Sequence, residues 1–151
     1  MKVYLDTSVI VLSLFGAKGD PDRIAEVAGL FQAIDDGHLQ ATISLYGLQE
    51  LCVFCYDNFP SDQAAQVARL AFHDILGHDL LLVPLLNRAQ RIVLNRRFPM
   101  SDASDQAHAA TAFHHGCEVV VTYDRHYQAI THLLPCLTAA ELLERLGERK
   151  R

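Results

Sequence analysis

Short runs of strand-forming residues alternate along the chain with longer helical segments, and this alternation limits the possible folds. Four such runs are KVYL (2–5), LQATIS (39–44), LLLVPL (80–85) and EVVVTY (118–123). Strands that are separated by helices need crossover connections, which produce a mainly parallel sheet with helices on both faces. The sequence therefore predicts one α/β domain over residues 1–151, with three α/β/α layers and a mainly parallel central sheet.

The helical segments carry start and stop signals of their own. Asp20 precedes Pro21, which suits the first helical position, and Gly37 follows the end of that helix. Ser44 and Ser61 are candidates to cap two further helices. The remaining helices are predicted from about Asn87 to Arg97, from Asp102 or Ser104 to Gly116, after Asp124, and over AAELLERLGERKR behind a Thr138–Glu141 capping box.

Composition and charge exclude several classes of protein. No apolar run approaches the ~20 residues of a membrane-spanning helix. The N-terminus has a single Lys2 and lacks the features of a secretory signal, which favours a soluble, cytoplasmic protein without a membrane partner. The net charge of −5 argues against a dedicated duplex-binding module, but it is compatible with an enzyme that engages a short stretch of RNA.

The four cysteines also fit a reducing compartment. Cys52 and Cys55 lie within an apolar helical stretch, whereas Cys117 and Cys136 stand alone. A zinc site would need a second pair or nearby histidines. We expect reduced thiols and no disulfide framework.

Acidic residues follow two of the predicted strands. Asp6 ends the first strand and Asp124 directly follows VVVTY. Parallel strands end at the same edge of a sheet, which is where open α/β sheets bind ligands. Asp105, at a helix start, and Glu50, on the helix after the second strand, can reach that edge. Four converging carboxylates would repel one another and raise some of their own pKa values, unless a divalent cation neutralises them.

Such a cation indicates a reaction class. Mg²⁺ or Mn²⁺ matches carboxylate ligands, and either can activate a water and neutralise charge on a phosphoryl oxygen, which suits phosphodiester hydrolysis. Taken singly, Asp6 and Asp124 have an ordinary explanation as helix caps, and Glu50 has one as a solvated helix residue. The joint pattern of the acids carries the hypothesis.

Asp102 and Asp105 lie at the start of one helix and have different expected roles. If Asp102 is the N-cap, Asp105 falls in the first turn and is free to face the strand edge. We therefore assign Asp102 to capping, with assistance to a metal site as the alternative. His108 is interpreted as a helix-surface or core histidine, with substrate contact as its alternative.

Four motifs in sequence order resemble the PIN-domain ribonuclease family. They are VYLDTSVIV (3–11), Glu50 within SLYGLQEL (44–51), DQAHAATAFHHG (105–116) and VVVTYDRHY (119–127), and they span essentially the whole chain. The resemblance is greatest to the small VapC-like toxins of type II toxin–antitoxin pairs. It implies a metal-dependent endoribonuclease, commonly a homodimer, that a protein antitoxin often holds inactive by blocking the site.

The resemblance also implies roles for individual residues. The acidic positions of the family match the catalytic candidates Asp6, Glu50, Asp105 and Asp124, of which Asp6, Asp105 and Asp124 would bind Mg²⁺ or Mn²⁺. Its hydroxyl positions, which could orient a carboxylate or a metal-bound water, match Thr7, Ser8 and Thr122.

Two positions depart from the family pattern. Gln106 stands where the family more often has Ala, which is a minor change at an exposed first turn. Tyr123 stands where the family often has Arg, so one phosphate contact of the family is lost at this position. Arg125 is the candidate substitute for RNA contact. Arg88 and Arg91 are further candidates, although a solvated helix face is the simpler explanation for them.

Other function classes are also compatible with parts of the sequence. A non-catalytic PIN-like module that binds RNA or protein is the main alternative. The acidic residues argue against it, because a module without catalysis gains nothing from the repulsion between clustered carboxylates. A haloacid-dehalogenase-like or receiver-like domain would use Asp6 as a nucleophile. The lack of a D-x-D motif after the first strand disfavours the first of these, and the placement of Glu50 and Asp105 disfavours the second. The chain has neither a Gly-rich phosphate loop nor a G-x-S-x-G elbow.

Overall fold

A five-stranded sheet forms the centre of the chain, with helices packed on both faces. The computed structural model describes residues 1–16 and 20–149. In chain order the elements are β1 (Lys2–Leu5), α1 (Thr7–Phe15), α2 (Pro21–Asp35), β2 (Gln40–Ser44), α3 (Leu45–Asn58), α4 (Ala64–Ile75), β3 (Leu80–Val83), α5 (Arg88–Asn95), α6 (Ala103–His114), β4 (Val119–Val121), a 3-10 helix (Arg125–Ile130), β5 (Cys136–Leu137) and α7 (Ala139–Arg149).

The order of the strands in the sheet is β3-β2-β1-β4-β5, and every neighbouring pair is parallel. Leu5 of β1 pairs with Val121 of β4, and the amide of Asp6 donates to the carbonyl of Val121 at 3.0 Å. The ends of the two strands are therefore level, so the residues that follow them meet at one edge. The predicted α/β/α fold with a parallel sheet is confirmed.

Two hydrophobic clusters fill the space between the sheet and its helices. On β1, Val3 and Leu5 belong to one cluster and Tyr4 belongs to the other, because successive side chains of a strand point to opposite faces. The first cluster contains buried residues of α1, α2, α3, α4 and α7, and the second contains buried residues of α6 and the 3-10 helix. Both faces of β1 are therefore buried, which fixes the strand end at Asp6.

Most of the predicted helix starts are confirmed. Asp20 caps α2 ahead of Pro21, and Ser44 caps α3 by accepting from the amide of Gly47 at 3.1 Å. The box before α7 is present, since the amide of Thr138 donates to Glu141 at 2.7 Å and the amide of Glu141 donates back at 3.3 Å. Lys150 and Arg151, which the prediction placed in the last helix, lie outside the described residues.

One prediction about local structure is wrong, and one strand was not predicted. Ser61 does not cap α4, which begins at Ala64 without a side-chain cap. The carbonyl of Pro60 instead accepts from the amides of Gln63 and Ala64 at 2.8 and 2.9 Å, so a turn replaces the cap. The strand β5 was not predicted, because its two residues carry no pattern and become a strand only by pairing with β4.

The cysteine thiols and the character of the helices are two further features of the structure. The four cysteines are free, with Cys55 and Cys117 buried and Cys52 and Cys136 partly buried. Among the described residues, no helix combines the length and apolar character that crossing a membrane requires.

Candidate active site

Asp6 lies at the end of β1, where hydroxyl groups hold its carboxylate. Its side chain is buried, and Oδ2 accepts from Ser8 Oγ at 2.5 Å and from Thr122 Oγ1 at 3.0 Å. On the other oxygen, Oδ1 accepts from Tyr127 OH at 3.1 Å. Asp6 also caps α1, because Oδ2 accepts from the amide of Ser8 at 3.3 Å. These donors fix the orientation of the carboxylate.

Asp105 and Asp124 form a cluster with His126 at the same edge. Asp105 lies in the first turn of α6 and is buried, whereas Asp124 caps the 3-10 helix and is partly exposed. His126 Nδ1 lies 3.1 Å from Asp105 Oδ2 and 3.4 Å from Asp124 Oδ1. One ligand atom from each residue lies within 4.8 Å of the other two. We call these three residues the acidic cluster.

The acidic cluster carries an excess of negative charge. Burial and then the charge of Asp124 raise the pKa of Asp105 to about 6, against a smaller lowering by the hydrogen bond to His126. The charges of Asp102 and Asp6 raise it further. A carboxyl whose ionised form is destabilised by neighbouring carboxylates is one that a bound cation would stabilise.

Glu50 has hydrogen-bond partners outside the acidic cluster. Its Oε2 accepts from Thr7 Oγ1 at 2.5 Å and lies 2.6 Å from His108 Nε2, and its Oε1 accepts from Ser104 Oγ. Burial raises the pKa of Glu50, but the hydrogen bond and charge of His108, with the two hydroxyls, lower it to about 2. The expectation that repulsion raises some of the carboxylate pKa values holds at Asp105, whereas Glu50 has a lowered pKa because of its own hydrogen-bond partners.

His108 is a core histidine that joins Glu50 to the sheet. Only 1% of its surface is exposed, and its Nδ1 lies 2.6 Å from the hydroxyl of Tyr4. That hydroxyl also bonds Ser44 Oγ at 2.7 Å, and burial raises the pKa of Tyr4 well above its usual value. The network from Ser44 to Glu50 therefore consists of groups from β1, the β2 end, α3 and α6, and it holds these elements together.

A cavity of about 340 Å³ is lined by Asp124 together with two arginines, Arg23 and Arg125. Arg23 comes from α2 and lies over the ring of Tyr123, at 5.4 Å from its centroid. The Tyr123 hydroxyl donates to Glu26 Oε2 at 3.2 Å. Thus α2 places a guanidinium next to the position where Tyr123 departs from the family pattern.

The other two arginine candidates lie on α5. Arg88 and Arg91 are both exposed, and Arg91 lines a separate groove of about 450 Å³ with residues of α3 and α6, including Tyr46 and Gln49. Contact of Arg88, Arg91 or Arg125 with RNA stays a prediction.

Gln106 has a structural role at its departure from the family pattern. Its Nε2 donates to the carbonyl of Asn95 at 3.0 Å and to that of Phe98 at 2.7 Å. The residue is partly buried, so the expectation of an exposed first turn is wrong there. Gln106 ties the start of α6 to the end of α5.

Asp102 is the N-cap of α6, as predicted. Its Oδ1 accepts from the amide of Ser104 at 2.7 Å and from that of Asp105 at 3.2 Å. Asp102→Ala should lower the free energy of unfolding by about 1 kcal/mol, because two helix amides lose their acceptor. Denaturant unfolding measures this change against Asp62→Ala, which alters an exposed acid. Equal effects of the two substitutions would contradict the capping role.

Three residues near the site were missed by sequence reasoning: His126, Tyr127 and Arg23. His126 and Tyr127 were already visible in the motif VVVTYDRHY, directly behind Asp124. A histidine two residues after an acid at the end of a strand could have indicated that His126 belongs to the site. Arg23 had no such signal, because only the packing of α2 brings it to this edge.

The whole chain was compared with known proteins. A family model described as a PIN domain matches residues 2–126. The chain belongs to the PIN-domain family. A search of curated proteins finds no match to this PIN domain.

Solved structures share the fold of this PIN domain at low sequence identity. VapBC2 from Rickettsia felis, bound to a DNA fragment from the promoter, has a TM-score of 0.64 at 16% identity, covering 91% of this chain and 98% of the other. FitAcB from Neisseria gonorrhoeae has 0.63 at 21% identity, covering 91% and 98%. VapC20 from Mycobacterium tuberculosis, described as a sarcin-ricin loop cleaving toxin, has 0.59 at 15% identity, covering 84% and 93%.

Proposed function

We propose that this PIN domain is a metal-dependent endoribonuclease that hydrolyses RNA phosphodiester bonds. The observation that carries the proposal is the acidic cluster, in which Asp105 and Asp124 lie at one edge of the sheet. In the part of the chain that the structure describes, no Lys or Arg side chain forms a salt bridge with either acid. The raised pKa of Asp105 supports the proposal, because it shows that the negative charges of the site are not balanced by positive charge from the protein. PIN-domain family membership supports the same reaction class.

The residues present fit a hard divalent cation such as Mg²⁺ or Mn²⁺. Asp105 and Asp124 would hold it through carboxylate oxygens, with Asp6 adding negative charge from the end of β1. When bound, the cation would activate a water and neutralise charge on the phosphoryl group.

The chain's own residues orient the site. Ser8, Thr122 and Tyr127 hold Asp6 in one orientation, so its charge is directed without reorganisation. Glu50, with a pKa of about 2, is a poor proton acceptor at neutral pH. We therefore assign Glu50 to positioning the start of α6 through Ser104, rather than to proton transfer.

We further propose that the protein is the cytoplasmic toxin of a toxin–antitoxin pair, with a protein antitoxin as partner and a homodimer as its assembly. The support is the likeness in fold to VapBC2 and FitAcB, together with the toxin description of VapC20. The substrate would enter beside Asp124, where the guanidinium groups of Arg23 and Arg125 offer phosphate contacts. A small gene next to this one that encodes a DNA-binding protein would supply the antitoxin for a co-purification test.

The proposed function is tested by RNA cleavage in the presence of Mg²⁺ or Mn²⁺. Cleavage should stop with a chelator and return with the metal, and Asp6→Asn should abolish it, because the substitution removes a charge that hydroxyl donors hold at the site. Asp62→Asn, at an exposed position, is the matched control. Full cleavage by Asp6→Asn, or cleavage that resists the chelator, would overturn the proposal. RNA binding without cleavage would instead favour the non-catalytic module.

A further inference from the structure

We propose that His126 is itself a ligand of the divalent cation, and that its imidazole makes the site bind Mn²⁺ more tightly than Mg²⁺. The inference rests on the proposed function, since it concerns the metal of that site. It adds a nitrogen ligand to the set of carboxylates that the sequence predicted.

The hydrogen bonds of the acids show which oxygens are free for a metal. An ionised carboxylate has about four lone-pair sites, two on each oxygen. At Asp6, Oδ2 already accepts from Ser8 and Thr122, and Oδ1 accepts from Tyr127. At Glu50, Oε2 contacts Thr7 and His108, and Oε1 accepts from Ser104. Both residues are therefore largely committed to neighbouring donors of the protein.

Asp105 and Asp124 are less committed. Within the described residues, Asp105 Oδ1 and Asp124 Oδ2 have no donor, while the second oxygen of each residue faces His126. Each of these two carboxylates therefore keeps one oxygen free of protein donors, and ligand atoms of Asp105, Asp124 and His126 lie close enough together for one cation to bind all three side chains.

The position of His126 is set by its backbone rather than by burial. The amide of His126 donates to Asp124 Oδ1 at 2.8 Å. This cap bond fixes the backbone of His126 and therefore the point from which its side chain extends. About 60% of the side chain is exposed. The imidazole can thus turn its lone pair to a cation from solvent without breaking a core contact.

The nature of this ligand decides the metal preference. Mg²⁺ strongly prefers oxygen ligands and retains its waters, whereas transition-metal ions accept imidazole nitrogen more readily. A site of two carboxylates and one imidazole therefore gains more from Mn²⁺ than from Mg²⁺. Carboxylates alone would discriminate less between the two ions.

The same geometry allows a competing role that the experiment separates. A protonated His126 would donate to Asp105 and occupy the place of the cation as an ion-pair partner. Metal binding would then have to displace it, so removing the imidazole would strengthen metal binding. If His126 is instead a metal ligand, removing its imidazole would weaken metal binding.

Mn²⁺ binding to the metal-free protein, measured by the electron paramagnetic resonance of free Mn²⁺, tests the inference. His126→Ala should raise the Kd for Mn²⁺ by at least about ten-fold, the smallest loss that partners of metal ligands commonly produce. The Kd for Mg²⁺, measured by competition, should rise much less. His132→Ala, which changes an exposed histidine of the same region, should change neither value.

A spectroscopic signature adds a readout that a structural role would not move. Electron spin-echo envelope modulation of the Mn²⁺ complex should show a coupled imidazole nitrogen in the wild type and lose it in His126→Ala. An unchanged or lower Kd for Mn²⁺ in His126→Ala, or no nitrogen coupling in the wild type, would overturn the proposal.

These results are independent of RNA cleavage. Nitrogen coupling in a protein that cleaves no RNA would support the His126 ligand and reject the proposed function. Metal-dependent cleavage without nitrogen coupling would reject the His126 ligand and leave the proposed function standing.

Discussion

Asp105→Asn should abolish metal-dependent RNA cleavage and leave the metal-free protein as stable as the wild type or more stable. The substitution removes a proposed metal ligand, for which a loss of at least about 100-fold is expected, the upper range seen for groups that only support a metal ligand. It also removes a carboxylate that Asp124, Asp102 and Asp6 repel. Activity and stability should therefore change in opposite directions, or stability should not change at all.

The pH dependence of unfolding gives the sign of this effect. The pKa of Asp105 is raised from 3.8 to about 6 in the folded protein, so folding favours its protonated form. Ionisation of Asp105 therefore lowers the free energy of unfolding. This effect is absent below pH 3.8, grows as the pH rises from 3.8 to about 6, and is complete above that value. The stability gained by Asp105→Asn should follow the same course, as measured by denaturant unfolding in chelator at several pH values.

Asp102→Ala is the matched comparison, because both acids lie at the start of α6. Asp102 is the cap, so its loss should lower stability at neutral pH, where Asp105→Asn does not. If Asp105→Asn instead were the destabilising variant and Asp102→Ala the neutral one, the two roles would have to be exchanged.

His108→Ala should cause the largest loss of stability, about 3 kcal/mol, because it removes a buried side chain and leaves two hydrogen-bonding groups without their partner. The substitution leaves the Tyr4 hydroxyl and Glu50 without their contacts at 2.6 Å, and it opens a cavity at a side chain that is 1% exposed. Urea unfolding at neutral pH measures the change, and His132→Ala serves as the exposed control.

The acid limb of unfolding identifies the pair. The pKa of Glu50 falls from 4.5 to about 2 on folding, so its contribution is complete above pH 4.5 and is lost as the pH falls through about 2. The stability difference between the wild type and His108→Ala should shrink across that interval. A loss similar to that of His132→Ala, or a difference independent of acid pH, would contradict the role of the network.

Local sequence signals determined much of the fold. Helix caps such as Asp20, Ser44 and Asp102 act through amides two or three residues away, so their roles follow from short stretches of sequence. The four longer strands carry hydrophobic runs that are readable for the same reason. By contrast, β5 has two residues and exists only through its pairing with β4, and the turn at Pro60 displaced the expected cap at Ser61.

In the candidate site, too, some features follow from local sequence and others depend on tertiary packing. Short stretches of sequence predict that Asp6 and Asp124 follow parallel strands and that Asp105 lies in the first turn of a helix, because strand ends and caps are properties of neighbouring residues. The packing of the elements against one another brings Glu50 to His108, His126 to Asp105, and Arg23 over Tyr123. Charges and hydrogen bonds depend on distances between side chains from different elements, and sequence spacing does not contain those distances.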